Sequence, residues 1–127
     1  MFNINPRSST PIYTQIVDEV KESILKGILE PGDKMPSVRE LAKMMTINPN
    51  TIQKAYKELE RQMVIEKIRG KGTFVSTDYK GKRDESRMKL VKESFKKGLI
   101  ELKYMGIKEE ETMAIIKELI REIKGDE

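Results

Sequence analysis

The stretch PSVRELAKMMTINPNTIQKAYKELE carries two helix-start signals with almost no room between them. Ser37 followed by Glu40 is a capping box, in which hydroxyl and carboxylate each satisfy a backbone N–H that a first turn leaves open. Asn48-Pro49 is a second start: an amide cap, then a proline where its missing N–H costs nothing. Val38, Leu41, Ala42 and Met45 give the first helix an apolar side, and Ile52, Ala55, Tyr56 and Leu59 do the same for the second. Thr46-Ile47 is the break. Two short helices joined so tightly form a helix-turn-helix, and this constraint governs how the flanking segments are read.

The polar face of the second helix carries Asn50, Thr51, Gln53, Lys54 and Lys57, with no carboxylate among them. A solvated helix face is the plain alternative. An α-helix also fits the major groove of DNA, where Asn and Gln pair with adenine while Lys reaches guanine or phosphate. A face that meets phosphates has reason to lack acids, and the segments on either side favour that reading.

Upstream, Thr10-Pro11 predicts another capped start, Tyr13, Ile16, Val17, Val20 and Ile24 mark an apolar stripe, and Gly27 is placed to end it. Pro31-Gly32 then makes a turn, and Pro36 forbids helix there. Downstream, MVIEKIRGKGTFVS is rich in β-branched residues and predicts a two-stranded hairpin. A lone hairpin is marginal in water, so it must lean on the helices through Ile65, Ile68, Phe74 or Val75. Its tip, Arg69-Gly70-Lys71-Gly72, lacks the spacing and the following helix of a phosphate loop. A plain turn is one reading of the tip. The other is a wing, whose glycines allow close approach to a sugar–phosphate backbone while Arg69 and Lys71 neutralise phosphates or enter the minor groove.

Residues 77–87 are polar, with Gly81 and a Lys80/Lys82/Arg83 group, and read as a linker. Residues 88–124 hold two more amphipathic helices. Met88, Val91, Phe95, Leu99 and Leu102 stripe the first, which Gly106 should close; Met113, Ile116, Ile120 and Ile123 stripe the second, which ends before Gly125. Glu109, Glu110 and Glu111 suit a first helical turn and, being consecutive, do not converge on a metal ion.

Composition narrows the chemistry. The chain has no cysteine and no histidine, which removes thiolate and imidazole metal sites and the usual general base, and weighs against an enzyme. No cofactor or metal is called for. No apolar run approaches the ~18 residues of a membrane span, and the first residues lack a signal peptide's apolar stretch, so the expectation is a cytoplasmic protein without membrane contact. The net charge of +4 is mild; the placement of the basic residues carries more weight.

The run PGDKMPSVRELAKMMTINPNTIQKAYKELE, with IRGKGTFV after it, resembles the winged helix-turn-helix of the GntR family of bacterial transcription regulators, over roughly residues 10–76. The NPNTIQKAY core and the short two-helix tail are similar to its YtrA-like subfamily. That resemblance implies a small dimeric repressor, often encoded beside an ABC-type transporter. It implies that Ser37 and Arg39 contact DNA, that Asn50, Thr51 and Gln53 hold recognition-helix positions with Lys54 and Lys57 beside them, and that Arg69, Gly70, Lys71, Gly72 and Thr73 form the wing. Many relatives have arginines where Pro49 and Gln53 stand, so their guanine preference is not carried over, and glycine is usual where Met63 stands. Larger relatives carry a separate ligand-sensing domain. The roughly forty residues after the linker are too few for an independent ligand-binding core, so no effector is assigned, and two such helices bury little on each other alone. The resemblance therefore implies that Met88, Val91, Phe95, Leu99, Leu102, Met113, Ile116 and Ile120 pair two subunits.

The expected architecture is thus mostly α with a small hairpin: a winged helix-turn-helix over 10–76, a linker, and a two-helix dimerisation tail over 88–124. The expected function is a homodimeric repressor on double-stranded DNA with an inverted-repeat operator. A protein–protein adaptor would want an exposed apolar patch on the second helix, and the sequence shows polar residues there. A single-strand binder would want exposed aromatics, yet most of the 4 Tyr and 3 Phe fall at core positions.

Overall fold

The computed structural model describes residues 3–77 and 84–124, in two compact units, Met1–Tyr79 and Lys80–Glu127. In the first unit, α1 (Ile12–Leu25), α2 (Val38–Met45) and α3 (Pro49–Arg61) precede a hairpin of β1 (Ile65–Ile68) and β2 (Gly72–Val75). The second holds α4 (Glu85–Tyr104) and α5 (Glu109–Lys124). This is a winged helix-turn-helix followed by a helical tail.

Both starts of the helix-turn-helix form as their residues dictate. Ser37 Oγ accepts from Glu40 N at 3.1 Å while Glu40 Oε1 accepts from Ser37 N at 3.2 Å, and Asn48 Oδ1 accepts from Asn50 N at 2.8 Å with Pro49 opening the helix. The start of α1 differs from expectation. Thr10 does not cap it: the chain enters through Pro11, extended at ψ 145° and without a side-chain cap. Gln15 fastens this entry instead, donating to the carbonyls of Asn5 and Thr10 at 2.9 Å and accepting from Asn5 N at 2.8 Å.

Ile16, Val17 and Val20 of α1 meet Ile52, Ala55, Tyr56 and Leu59 of α3, with Leu41 and Ala42 of α2 alongside. Leu29, Met35, Val64, Ile65 and Val75 complete the core. Each fully buried aliphatic side chain here contributes about 1.5–3 kcal/mol of transfer free energy. Tyr56 is 2% exposed, and its hydroxyl donates to the Pro36 carbonyl at 2.6 Å, tying α3 to the turn before α2. Burial, helped by the Glu40 charge, pushes that phenol's pKa up.

Four helices close in the same way, on a left-handed residue at or just after the cap whose successor's N–H reaches back to the last turn. Gly27 and Gly106 fill the position in α1 and α4. In α2 it is Thr46 (φ 54°), with Ile47 N donating to Ala42 O at 3.0 Å; in α3 it is Met63 (φ 61°), with Val64 N donating to Leu59 O at 2.9 Å. Met63 therefore adopts the left-handed conformation that glycine takes most readily, and the chain turns there into the wing.

The wing has more support than a two-stranded hairpin. β1 and β2 pair antiparallel from Ile65 opposite Val75 to Ile68 opposite Gly72. The segment before α2 adds itself to the free edge of β2, where Lys34 bridges Phe74, Met35 N donates to Thr73 O and Val75 N donates to Asp33 O, both at 2.8 Å. Ile65 and Val75 anchor the hairpin in the core; Ile68 is 40% exposed and takes no part in it.

In the second unit, Asp84 caps α4 by accepting from Ser86 N at 3.0 Å and Arg87 N at 3.3 Å, so the helix begins at Glu85, inside the stretch read as linker. Gly81, the Lys80/Lys82/Arg83 group and Gly125 lie outside the described residues. Neither α4 nor α5 buries a residue, and the two share no extended packing. Glu109, Glu110 and Glu111 sit in the first turn of α5.

Candidate nucleic-acid interface

The interface is built at the meeting of three elements. Because α3 buries Ile52, Ala55, Tyr56 and Leu59, helical geometry turns Asn50 and Lys57 directly away from the core, with Gln53 and Lys54 on either flank. All four are exposed. Thr51 is half-buried, its N–H donating to Asn48 O at 3.0 Å.

On the Gln53 flank lies a groove lined by Ser37, Val38, Arg39 and Glu40 of the α2 start, Pro49 and Gln53 of α3, and Lys34, Met35, Lys67, Gly72 and Thr73 around the wing. Five of the residues the sequence singles out (Ser37, Arg39, Gln53, Gly72 and Thr73) thus share one concavity. Arg69, Gly70 and Lys71 stand exposed at the wing tip beyond it, with Gly70 left-handed at φ 80° and Lys71 N donating to Ile68 O at 3.0 Å.

Lys54 departs from a single flat reading face. Its ammonium sits 4.1 Å from the ring centroid of Tyr13 on α1, a cation–π contact worth about 0.5–1 kcal/mol where exposed. That contact holds Lys54 on the α1 side of α3 while Gln53 borders the groove.

Lys34 and Lys67 are groove residues that motif reasoning passes over. For Lys67 the signal is present in the strand period. Lys67 faces Thr73 across the ladder, two residues from the buried Ile65–Val75 pair, so the inward side of the hairpin becomes the groove wall towards its tip. Lys34 carries no such signal, since its place depends on the bridge to β2.

Electrostatically the groove is cationic. Lys34, Arg39 and Lys67 face one carboxylate, Glu40. The Ser37 hydroxyl and backbone hold the Glu40 carboxyl below its usual range, so it stays ionised while committed to the cap. The arrangement suits a polyanion carrying hydrogen-bonding edges: amide and guanidinium donors in the groove, and exposed cations at the tip. Among the described residues no group of acidic side chains is placed to hold a metal ion.

The model of the bacterial regulatory proteins of the gntR family matches residues 12–75. The chain is 50% identical over 125 residues to the HTH-type transcriptional repressor YtrA of Bacillus subtilis, covering 98% of this chain and 96% of that protein. Among solved structures it is similar to a transcriptional antiterminator from Listeria monocytogenes, with a TM-score of 0.91 at 39% identity, covering 100% of this chain and 95% of that one. It is also similar to the DNA-binding domain of AraR in complex with operator ORX1, with a TM-score of 0.51 at 32% identity over 60% of this chain and 93% of that one.

Proposed function

The chain belongs to the gntR family of bacterial regulatory proteins, and on that premise we propose that it is a sequence-specific repressor binding an inverted-repeat operator as a homodimer. That it is a DNA-binding transcription regulator follows from the family. The observation that carries the finer reading is the convergence of Ser37, Arg39, Gln53, Gly72 and Thr73 on one cationic groove beside the exposed face of α3. In this reading Asn50 and Gln53 address base edges, Ser37, Arg39, Lys57 and the wing hold phosphates, and Lys54 reaches the backbone from its seat on Tyr13. The repressor role is supported by likeness to YtrA over nearly the whole chain. With it goes the regulated target we favour, an ABC-type transporter operon, and a cytoplasmic place of action; no described helix is long and apolar enough to cross a membrane.

The dimer is supported by apolar side chains that stand exposed on the described residues of the second unit. Val91, Phe95 and Leu99 on α4 are 49%, 58% and 42% exposed, with Met88 and Leu102 on the same stripe. Met113 and Ile120 on α5, near Ile116, are each 48% exposed. So many large apolar residues in so short a segment call for a partner. A second copy brings an identical set and, by two-fold symmetry, two recognition helices to two half-sites.

Selection of bound fragments from genomic DNA by the full chain tests the whole reading. It should return an inverted repeat with half-sites about one helical turn apart, and the free protein should sediment as a dimer. Fragments without a common motif would remove the operator from the proposal. A monomer at high micromolar concentration would remove the symmetry.

A further inference from the structure

Two groove cations lie outside the motifs that carry the fold: Lys34, in the turn before α2, and Lys67, on β1. Both are exposed, and neither makes an ion pair among the described residues. The backbone of Lys34 is fixed, since it bridges Phe74 while its neighbours Asp33 and Met35 hydrogen-bond to Val75 and Thr73. Its stem lies over the wing. A Cβ built on Gly72, whose φ is 121°, would stand 3.2 Å from Lys34 Cε and 3.9 Å from Nζ. The absence of a side chain at Gly72 therefore leaves the space this lysine stem occupies. Lys67 stands on the same wall, opposite Thr73 in the ladder.

Like charges gathered around one concavity repel, and Glu40, already bonded to Ser37, offsets only part of Lys34, Arg39 and Lys67. The arrangement is favourable when an anion enters. Lysine is a compact point charge without the fork that reads a base edge, and so it suits phosphate oxygens. Fixing the Lys34 backbone beforehand lowers the entropy lost on docking.

We propose that Lys34 and Lys67 are phosphate-binding residues. They grip one DNA strand where it passes between the wing and the start of α2, beside Arg39, and leave Asn50 and Gln53 to the base edges. This deepens the assignment of the groove to DNA and rests on it. Here the wing acts through its base as well as its tip, and the grip is independent of sequence.

The test uses the full chain and a mixed-sequence duplex, titrated at several salt concentrations. Lys34→Gln, Lys67→Gln and the double variant are compared with the parent, and with Lys26→Gln, whose lysine pairs with Glu22 at 2.8 Å away from the groove. Each groove substitution should flatten the slope of log affinity against log salt by about 0.9 per bound subunit, and the double variant by about twice that. Lys26→Gln should leave the slope unchanged. All three lysines are replaced by an uncharged polar side chain, and matching thermal melts of the four variants show that the fold is kept. A steep parental slope that both groove variants retain overturns the proposal while leaving DNA binding intact. A parent that binds the duplex without salt dependence removes the assignment of the groove to DNA, and this proposal with it.

Discussion

Glycine should be a better residue than alanine at position 63, the reverse of its effect six residues earlier, inside α3. Met63 is left-handed at φ 61°, and a residue with a Cβ pays about 1–2 kcal/mol there. Glycine escapes that cost but gives back roughly 0.5–1 kcal/mol through the extra freedom of the unfolded chain. The Met63 side chain is 67% exposed, so comparing Met63→Gly with Met63→Ala removes the side chain's small packing contribution from both arms. The difference should favour glycine by about 0.5–1 kcal/mol, or roughly 2–8 °C in Tm for a domain of this size. Lys57 is the internal control, exposed and in mid-helix, where glycine should be worse than alanine by about 1 kcal/mol. Thermal and urea unfolding of the four variants reads both signs. If alanine exceeds glycine at both positions, the left-handed turn does not govern the junction of α3 and the wing.

Gln53→Ala should cost about 1–3 kcal/mol of discrimination between operator and scrambled duplex, whereas Lys71→Ala should weaken both alike and lower the salt slope by about one unit; titrations of both variants on both duplexes assign the roles, and the opposite pattern makes the wing the reader. Tyr56→Phe removes the 2.6 Å bond to Pro36 O and leaves that carbonyl without this donor, so unfolding experiments should show a loss of about 1 kcal/mol. Glu40 titrates in the folded chain below its ordinary value of 4.5 because Ser37 bonds its charged form. Its contribution is therefore complete above that value and lost as pH falls through the lowered folded one. Melting the parent and Glu40→Gln between pH 3 and 7 should show a smaller acid loss in the variant; equal losses would mean that the capping box is not what acid removes.

Local chemistry carried the helix-turn-helix because its signals are short in range. A capping hydroxyl, an amide before proline and a helical stripe each act within a turn or two, so Ser37, Asn48 and the Ile52–Leu59 face could be read from their neighbours alone. Thr10 failed by the same standard. Gln15 reaches back to the carbonyls of Asn5 and Thr10 and sets the entry to α1, an amide contact with no short motif. The stripe on α4 was legible as a pattern. Its start was not, since Asp84 and Ser86 resemble any polar connection until Asp84 is seen accepting from the first turn.

The wing marks where reading from neighbours ends. A period of two predicts which residues of β1 share a side, and it would have placed Lys67 beside Thr73 had the inward side been followed to the tip. It cannot announce that residues 32–35 lie along β2, because no residue there is typical of a strand and Pro36 argues against one. The pairing is enforced from a distance. Met35 is buried at 3% exposure, Tyr56 bonds the next carbonyl from α3, and the Thr73 and Asp33 carbonyls accept from Met35 N and Val75 N. The same three anchors fix the backbone from which Lys34 projects. The part of the groove that motifs miss is thus the part created by tertiary contacts. Loosening Tyr56 should accordingly disturb the wing-side grip on DNA before it disturbs Gln53, whose position is set by its own helix.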